Sequence, residues 1–158
     1  NYLILKRLII ESFVTQDNKA LHLGLVDVNT IIKIKNKIKN LPKNKRDIIK
    51  QNDYDLVINQ SEIRHLKDNK VRLTEKDIIN YIKLLPVIIL EFDDVSYNKQ
   101  KEEGLRFRKE INNNIYYTVV LISNKKHTMT LKTLYLKRSN YEHKKRSISP
   151  PNNSFKNS

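Results

Sequence analysis

Cysteine and tryptophan are absent from the 158-residue chain, glycine occurs twice and proline four times. Without cysteine there is no disulfide framework, no thiolate nucleophile and no Cys-ligated zinc, which leaves chemistry through His, Lys, Arg, carboxylate or hydroxyl groups in a cytosolic setting. Gly24 and Gly104 are far apart, so phosphate-cradling and dinucleotide-binding loops, which need clustered glycine, are excluded. No serine has the tight Gly-flanked turn of a hydrolase nucleophile. His22, His65, His127 and His143 show no close ligand spacing, so neither a metal nor another cofactor is expected. The longest apolar stretches, Tyr2 to Val14 and Leu84 to Leu90, fall short of the roughly 18 to 20 residues a membrane span needs, and no membrane partner is expected. An initiator Met is also missing, so the chain reads as a fragment or the processed end of a longer protein.

Lysine and arginine, by contrast, are abundant: 31 against 17 acidic residues, a formal net charge of +14. Such a balance makes polyanions, nucleic acid first, the default partner, because each cation that neutralises a phosphate releases condensed counterions. The Asn, Ile and Lys bias of the text, typical of AT-rich coding, is an equally simple source of the charge. Hydrophobic residues make up 39%, enough for one core.

Three regions are expected: a lead-in over residues 1–22, one domain over 23–138, and a disordered basic Pro/Asn/Ser tail over 139–158, with Lys144-Lys145-Arg146 and Pro150-Pro151. Asp27 or Asn29 can cap a helix in which Ile31, Ile34, Ile38 and Leu41 share a face, with lysines around them and a stop near Pro42. Tyr54 to Ile58 reads as a strand before a helix carrying Ile63, His65 and Leu66. Thr74 to Asp77 reads as a capping box for a helix interrupted at Pro86. Val95 to Tyr97, Leu105 to Ile111, Ile115 to Ile122 and Thr128 to Leu136 then read as strands. The expected fold is α+β: N-terminal helices followed by a roughly four-stranded antiparallel meander with one open face.

One imidazole and several cations suffice to cleave RNA by its own 2′-hydroxyl, which needs a base, an acid and positive charge for the phosphorane. If Ile111 faces Ile115 and Ile122 faces His127, then Lys109, Tyr117 and Lys132 align on one face of the meander. Arg106, Arg108, Glu110, Tyr116, Thr118, Thr133 and Tyr135 then occupy the other. A slip of one residue changes these rows, so both remain candidates. Arg106, Tyr116 and Tyr135 suit a backbone phosphate and a stacked base, although an exposed sheet face carries such residues as a matter of course.

Seven segments in order, Asp55-Leu56-Val57-Ile58, Ser61-Glu62-Ile63-Arg64-His65-Leu66, Leu73 to Ile78, Phe92-Asp93-Asp94-Val95, Leu105 to Lys109, Tyr116 to Val120 and Leu131 to Tyr135, resemble the phage Barnase/EndoU/colicin/RelE-like nuclease domains, the PBECR group. The resemblance runs from about Leu23 to Arg138. It implies a metal-independent ribonuclease with His65 on its first conserved helix, Arg108 and Lys109 on a middle strand, and Lys132 and Thr133 on the last. Many such domains carry a second histidine soon after the first, and the span Leu66 to Leu73 has none. The partners it implies are RNA such as tRNA, a phage head or portal protein, and an inhibitor protein, in the host cytoplasm or the virion. The alternative is a catalytically silent nucleic-acid-binding or virion-assembly module of the same fold.

Overall fold

The computed structural model describes residues 20–67, 74–99 and 102–138, with the backbone alone for 65–67 and 138; the expected tail and all but the end of the lead-in lie outside the described residues. In chain order the elements are β1 (Ala20–Val26), α1 (Val28–Lys37), β2 (Ile38–Lys39), a 3₁₀ stretch (Lys43–Ile48), β3 (Tyr54–Asn59), α2 (Gln60–Lys67), α3 (Glu75–Leu90), β4 (Asp94–Lys99), β5 (Glu103–Ile111), β6 (Asn114–Ser123) and β7 (Thr128–Arg138). All seven strands join one sheet in the order β1-β3-β7-β6-β5-β4-β2. The pairs β3·β7 and β2·β4 are parallel; the other four are antiparallel.

This corrects the expectation of N-terminal helices followed by a four-stranded antiparallel meander. A strand precedes the first helix, two more precede the second, and the sheet is mixed and seven-stranded. The physical reason is visible in β1, where Leu21, Leu23 and Val26 are buried but Gly24 and Leu25 interrupt the alternation. Leu23 is an extra residue between His22 and Gly24, which pair with Val57 and Leu56. A bulge of this kind erases the period-two signal by which a strand is recognised.

Helix α1 starts at Asp27, whose side chain accepts a hydrogen bond from the Thr30 N–H at 2.9 Å, and buries Ile31 and Ile34. Its lysines are largely spent on the fold. Lys33 donates to the Leu90 carbonyl at 3.3 Å and lies 4.9 Å from the Phe92 ring centroid, Lys35 donates to the Ile49 carbonyl at 2.6 Å, and Lys39, just beyond, pairs with Asp94 at 2.5 Å. Helix α3 begins at the Thr74 to Asp77 capping box and runs through Pro86 to Leu90. A proline inside a helix costs about 3 kcal/mol. Ile88 and Ile89 beyond it are 1% and 0% exposed, and burying two such side chains returns about 3 to 6 kcal/mol, so the helix continues.

The core lies on one face of the sheet, where Ile31, Ile34, Ile78, Ile82 and Leu85 of the helices meet Val95, Phe107, Val120, Met129, Leu131 and Leu134 of the strands. Among the described residues no helix is long and apolar enough to cross a membrane. At Gly104 the two central strands press together: a Cβ there would sit 2.2 Å from the Val120 carbonyl oxygen. Gly104→Ala is expected to cost about 1 to 3 kcal/mol as an overpacking change, seen as a lower urea midpoint at unchanged m-value; an unchanged midpoint would contradict this close approach.

Candidate active site

The turn between β5 and β6 decides what the open face carries. Asn112 and Asn113 have φ of 49° and 66°, so the loop is a two-residue turn in which both central residues are left-handed, a conformation Asn tolerates. Ile111 therefore faces Asn114, not Ile115. The expected register is corrected by this slip and by the second hairpin, where Ser123 faces Thr128 and His127 has φ 54°. Arg108, Tyr117 and Tyr135 now form one cross-strand row, and Arg106, Val119 and Thr133 the next. Lys109 and Tyr116 move to the helix-covered face, where Tyr116 meets Tyr81 edge-on at 5.4 Å. Burial pushes the Tyr81 phenol well above its ordinary range.

A second irregularity completes the site. Val119 pairs with Thr133 and Val120 with Leu131, so Lys132 is an extra residue in β7. Successive side chains of a regular strand point to opposite faces; at this bulge Lys132 and Thr133 both open into one groove of about 370 Å³. Arg106 and Tyr135 line the same groove, over a floor of Val119 and Leu121, with Asn98 and Glu102 at its far side.

Lys132 lies 3.2 Å from Glu102 and 4.0 Å from Glu62 of α2. The hydrogen bond with Glu102, then the charge of Glu62, holds its ammonium above the usual lysine range, so Lys132 is a fixed cation and not a proton acceptor at neutral pH. Tyr117 and Tyr135 stack with centroids 4.8 Å apart and planes 14° from parallel. The Arg106 guanidinium lies 5.2 Å from the Tyr117 centroid and its Nη1 is 3.5 Å from the Tyr135 hydroxyl, while Lys137 lies 5.5 Å from the Tyr117 centroid. Cations over stacked rings make a surface suited to phosphate and base together.

Of the residues expected to form a site, the structure brings Arg106, Lys132, Thr133 and Tyr135 together. Arg108 shares their face, but its guanidinium is 3.7 Å from Asp93, which also takes Lys109 at 3.4 Å and the Glu110 N–H at 2.8 Å. His65 is on α2, one turn after Glu62; its side chain lies outside the described residues. Tyr117, Lys137, Asn98, Glu102 and Glu62 are additions to the expected set. The Asn112-Asn113 pair was the signal that would have placed Tyr117 beside Arg108; nothing in the sequence marks the β7 bulge. Among the described residues no three His, Asp or Glu side chains gather as a metal-ligand set.

Residues 32–144 match the model of PBECR3, the phage-Barnase-EndoU-ColicinE5/D-RelE like nuclease3 family. The chain belongs to this family. The match covers more than half of the chain and takes in α2, the tyrosine stack and the bulge at Lys132, so the PBECR domain is a nuclease-like domain of phage origin. Neither the curated proteins nor the solved structures compared with it give a match.

Beside the groove, Glu103 accepts from the Tyr97 hydroxyl and pairs with Lys45 at 2.7 Å. Those two partners hold the Glu103 carboxyl below its usual range, and the shared hydrogen bond pushes the Tyr97 phenol up to about 12. A raised phenol pKa favours the neutral form in the folded state, so this contribution is present below the ordinary tyrosine pKa and is lost as pH rises toward 12. Ultraviolet difference titration is expected to show one tyrosine ionising near pH 12, and Glu103→Gln to bring it down toward 10. A wild-type titration indistinguishable from the variant's would contradict this contact.

Proposed function

We propose that this PBECR domain is an endoribonuclease that cleaves RNA by attack of the 2′-hydroxyl on the adjacent phosphorus, with no metal ion. The observation that carries the reading is the convergence of Lys132, Thr133, Arg106 and Tyr135 in one groove beside the helix of His65. Attack removes a proton from the 2′-oxygen and delivers one to the departing 5′-oxygen, leaving a 2′,3′-cyclic phosphate and a 5′-hydroxyl without consuming water. His65 serves as one proton-transfer group. Lys132, kept charged by Glu102 and Glu62, and Arg106 bind the phosphate and the negative charge that grows on the phosphorane.

Thr133, adjacent to Lys132 at the bulge, donates to a non-bridging phosphate oxygen. Tyr135, backed by Tyr117, presents a surface for a base. Arg108 and Lys109, both tied to Asp93, supply background positive potential. RNA is thus the proposed partner, met in a host cytoplasm or delivered with a virion.

The test incubates purified protein with total RNA and tRNA in excess EDTA and examines product ends. Fragments ending in 2′,3′-cyclic phosphate are expected, and His65→Ala is expected to slow their formation by about 10²- to 10⁴-fold with an unchanged unfolding midpoint. Lys132→Ala is expected to lose about 10²- to 10³-fold, with partial recovery in Lys132→Arg. Intact RNA at every concentration of folded protein would overturn the catalytic reading in favour of a silent binding or virion-assembly module.

A further inference from the structure

Cleavage by the 2′-hydroxyl moves two protons, one off the attacking oxygen and one onto the departing oxygen, and His65 accounts for one of them. The groove holds a group for the other. Among the described residues that line it, Arg106 and Lys132 bring cations, Asn98 an amide, and Thr133 and Tyr135 hydroxyls. Glu102 brings a carboxylate, the side-chain type in this set that accepts a proton at neutral pH.

Two further carboxylates lie nearby and are placed differently. Glu103 faces the adjoining hollow, where it accepts from Tyr97 and pairs with Lys45 at 2.7 Å. Those bonds hold the start of β5, and so the backbone from which Glu102 reaches the groove. Glu62 of α2 lies 4.0 Å from Lys132 with its side chain 19% exposed, outside the groove wall; the Glu102 side chain is 55% exposed and 3.2 Å from Lys132. The charged groups around Glu102 are thus Lys132 of β7, Glu62 of α2 beyond it, Arg106 of β5 in the groove, and Lys99 and Glu103 in the adjoining hollow.

A carboxylate beside a phosphate site opposes the phosphate for as long as its charge lasts. The Lys132 ammonium has three donors, so it can hold Glu102 and a phosphate oxygen together, its single charge divided between them. When the 2′-hydroxyl proton passes to a carboxylate at this place, the carboxylate becomes a neutral acid. The electron pair of the broken O–H bond forms the bond to phosphorus, and the phosphorane gains a second negative charge. Charge vanishes on one neighbour of Lys132 as it appears on the other, so the ammonium binds the transition state more strongly than the ground state.

We propose that Glu102 is the general base of the reaction, taking the 2′-hydroxyl proton, and that His65, as imidazolium, gives a proton to the 5′-oxygen as its bond to phosphorus breaks. The proposal rests on the ribonuclease reading of the groove. The products leave Glu102 protonated and His65 neutral, and exchange of one proton through solvent restores both.

The experiment uses the bond that the wild type cleaves fastest in total RNA, carried in an oligoribonucleotide, and the same sequence with sulfur in place of the 5′-oxygen at that bond. A thiolate leaves without a general acid, so the sulfur substrate rescues loss of the acid and not loss of the base. Glu102→Gln, which keeps an oxygen to accept from Lys132, is expected to slow both substrates by about 10²- to 10⁴-fold at an unchanged unfolding midpoint. It is also expected to lose the acid limb of slope one that the wild type shows in log kcat/KM against pH, and Glu102→Asp to keep that limb. His65→Ala is expected to be slow on the oxygen substrate and to recover on the sulfur one. Glu102→Gln cleaving within about threefold of the wild type, keeping the acid limb, or recovering on the sulfur substrate overturns the assignment of the base and leaves the ribonuclease reading intact. Total RNA left intact by folded wild type overturns both.

Discussion

Lys132 stands in β7 where Val119 and Val120 of β6 face Thr133 and Leu131, and the open face of the protein takes its chemistry from that one extra residue. On the N-terminal side of the bulge, Met129 and Leu131 alternate into the core; on the other side, Leu134 resumes the same face one residue late. Without the insertion, Lys132 and Thr133 would point to opposite faces. Strand β3 pairs with β7 only as far as Thr130, and α2, which follows it directly, packs on both strands and brings Glu62 to Lys132. The parallel pair, the helix of His65 and the bulge thus belong to one arrangement at the C-terminal end of β3.

The charge balance has a similarly local meaning. An excess of +14 suggests a surface laid out for polyanions, yet many of its cations have internal duties. Lys33, Lys35 and Lys39 hold backbone carbonyls and Asp94, Lys45 holds Glu103, and Arg108 and Lys109 share Asp93. Exposed ion pairs of this kind are each worth little, of order 0 to 1 kcal/mol. Their larger effect is on position, because a paired cation presents its charge at one place. Around the groove the pairing runs the other way: the carboxylates Glu102 and Glu103 are the compensated groups, and Arg106 and Lys137 are spread over the tyrosine rings.

Much of the local structure was legible in the sequence. The capping side chains of Asp27 and Thr74, the apolar spacing of Ile31 and Ile34, and the runs of β-branched, aromatic and aliphatic residues in β5, β6 and β7 carry their signals within a few residues. Where propensity and packing disagreed, packing prevailed: Pro86 lies inside α3 because the isoleucines beyond it are buried. β1 was not legible because its bulge breaks the alternation, and β2 because two residues are too few to show a period. The order of motifs along the chain carried the family likeness, which depends on which residues occur and at what spacing, not on how strands pair.

By itself, then, the sequence determined the types of the three helices and of strands β3 to β7, the caps, the exclusion of thiol and glycine-loop chemistry, and the set of cations, hydroxyls and rings from which a site could be made. Tertiary structure alone decided which of them meet. Strand register has a period of two, so a turn of two residues, Asn112-Asn113, in place of the expected three carried Tyr117 to the face of Arg106 and Tyr135, and left Tyr116 against Tyr81 of α3. A single residue inserted in β7 then placed Lys132 beside Thr133. The first is set at the tight turn itself, where two left-handed Asn residues close the hairpin; the second is set by how β7 packs between β3 and β6, and no local pattern encodes it.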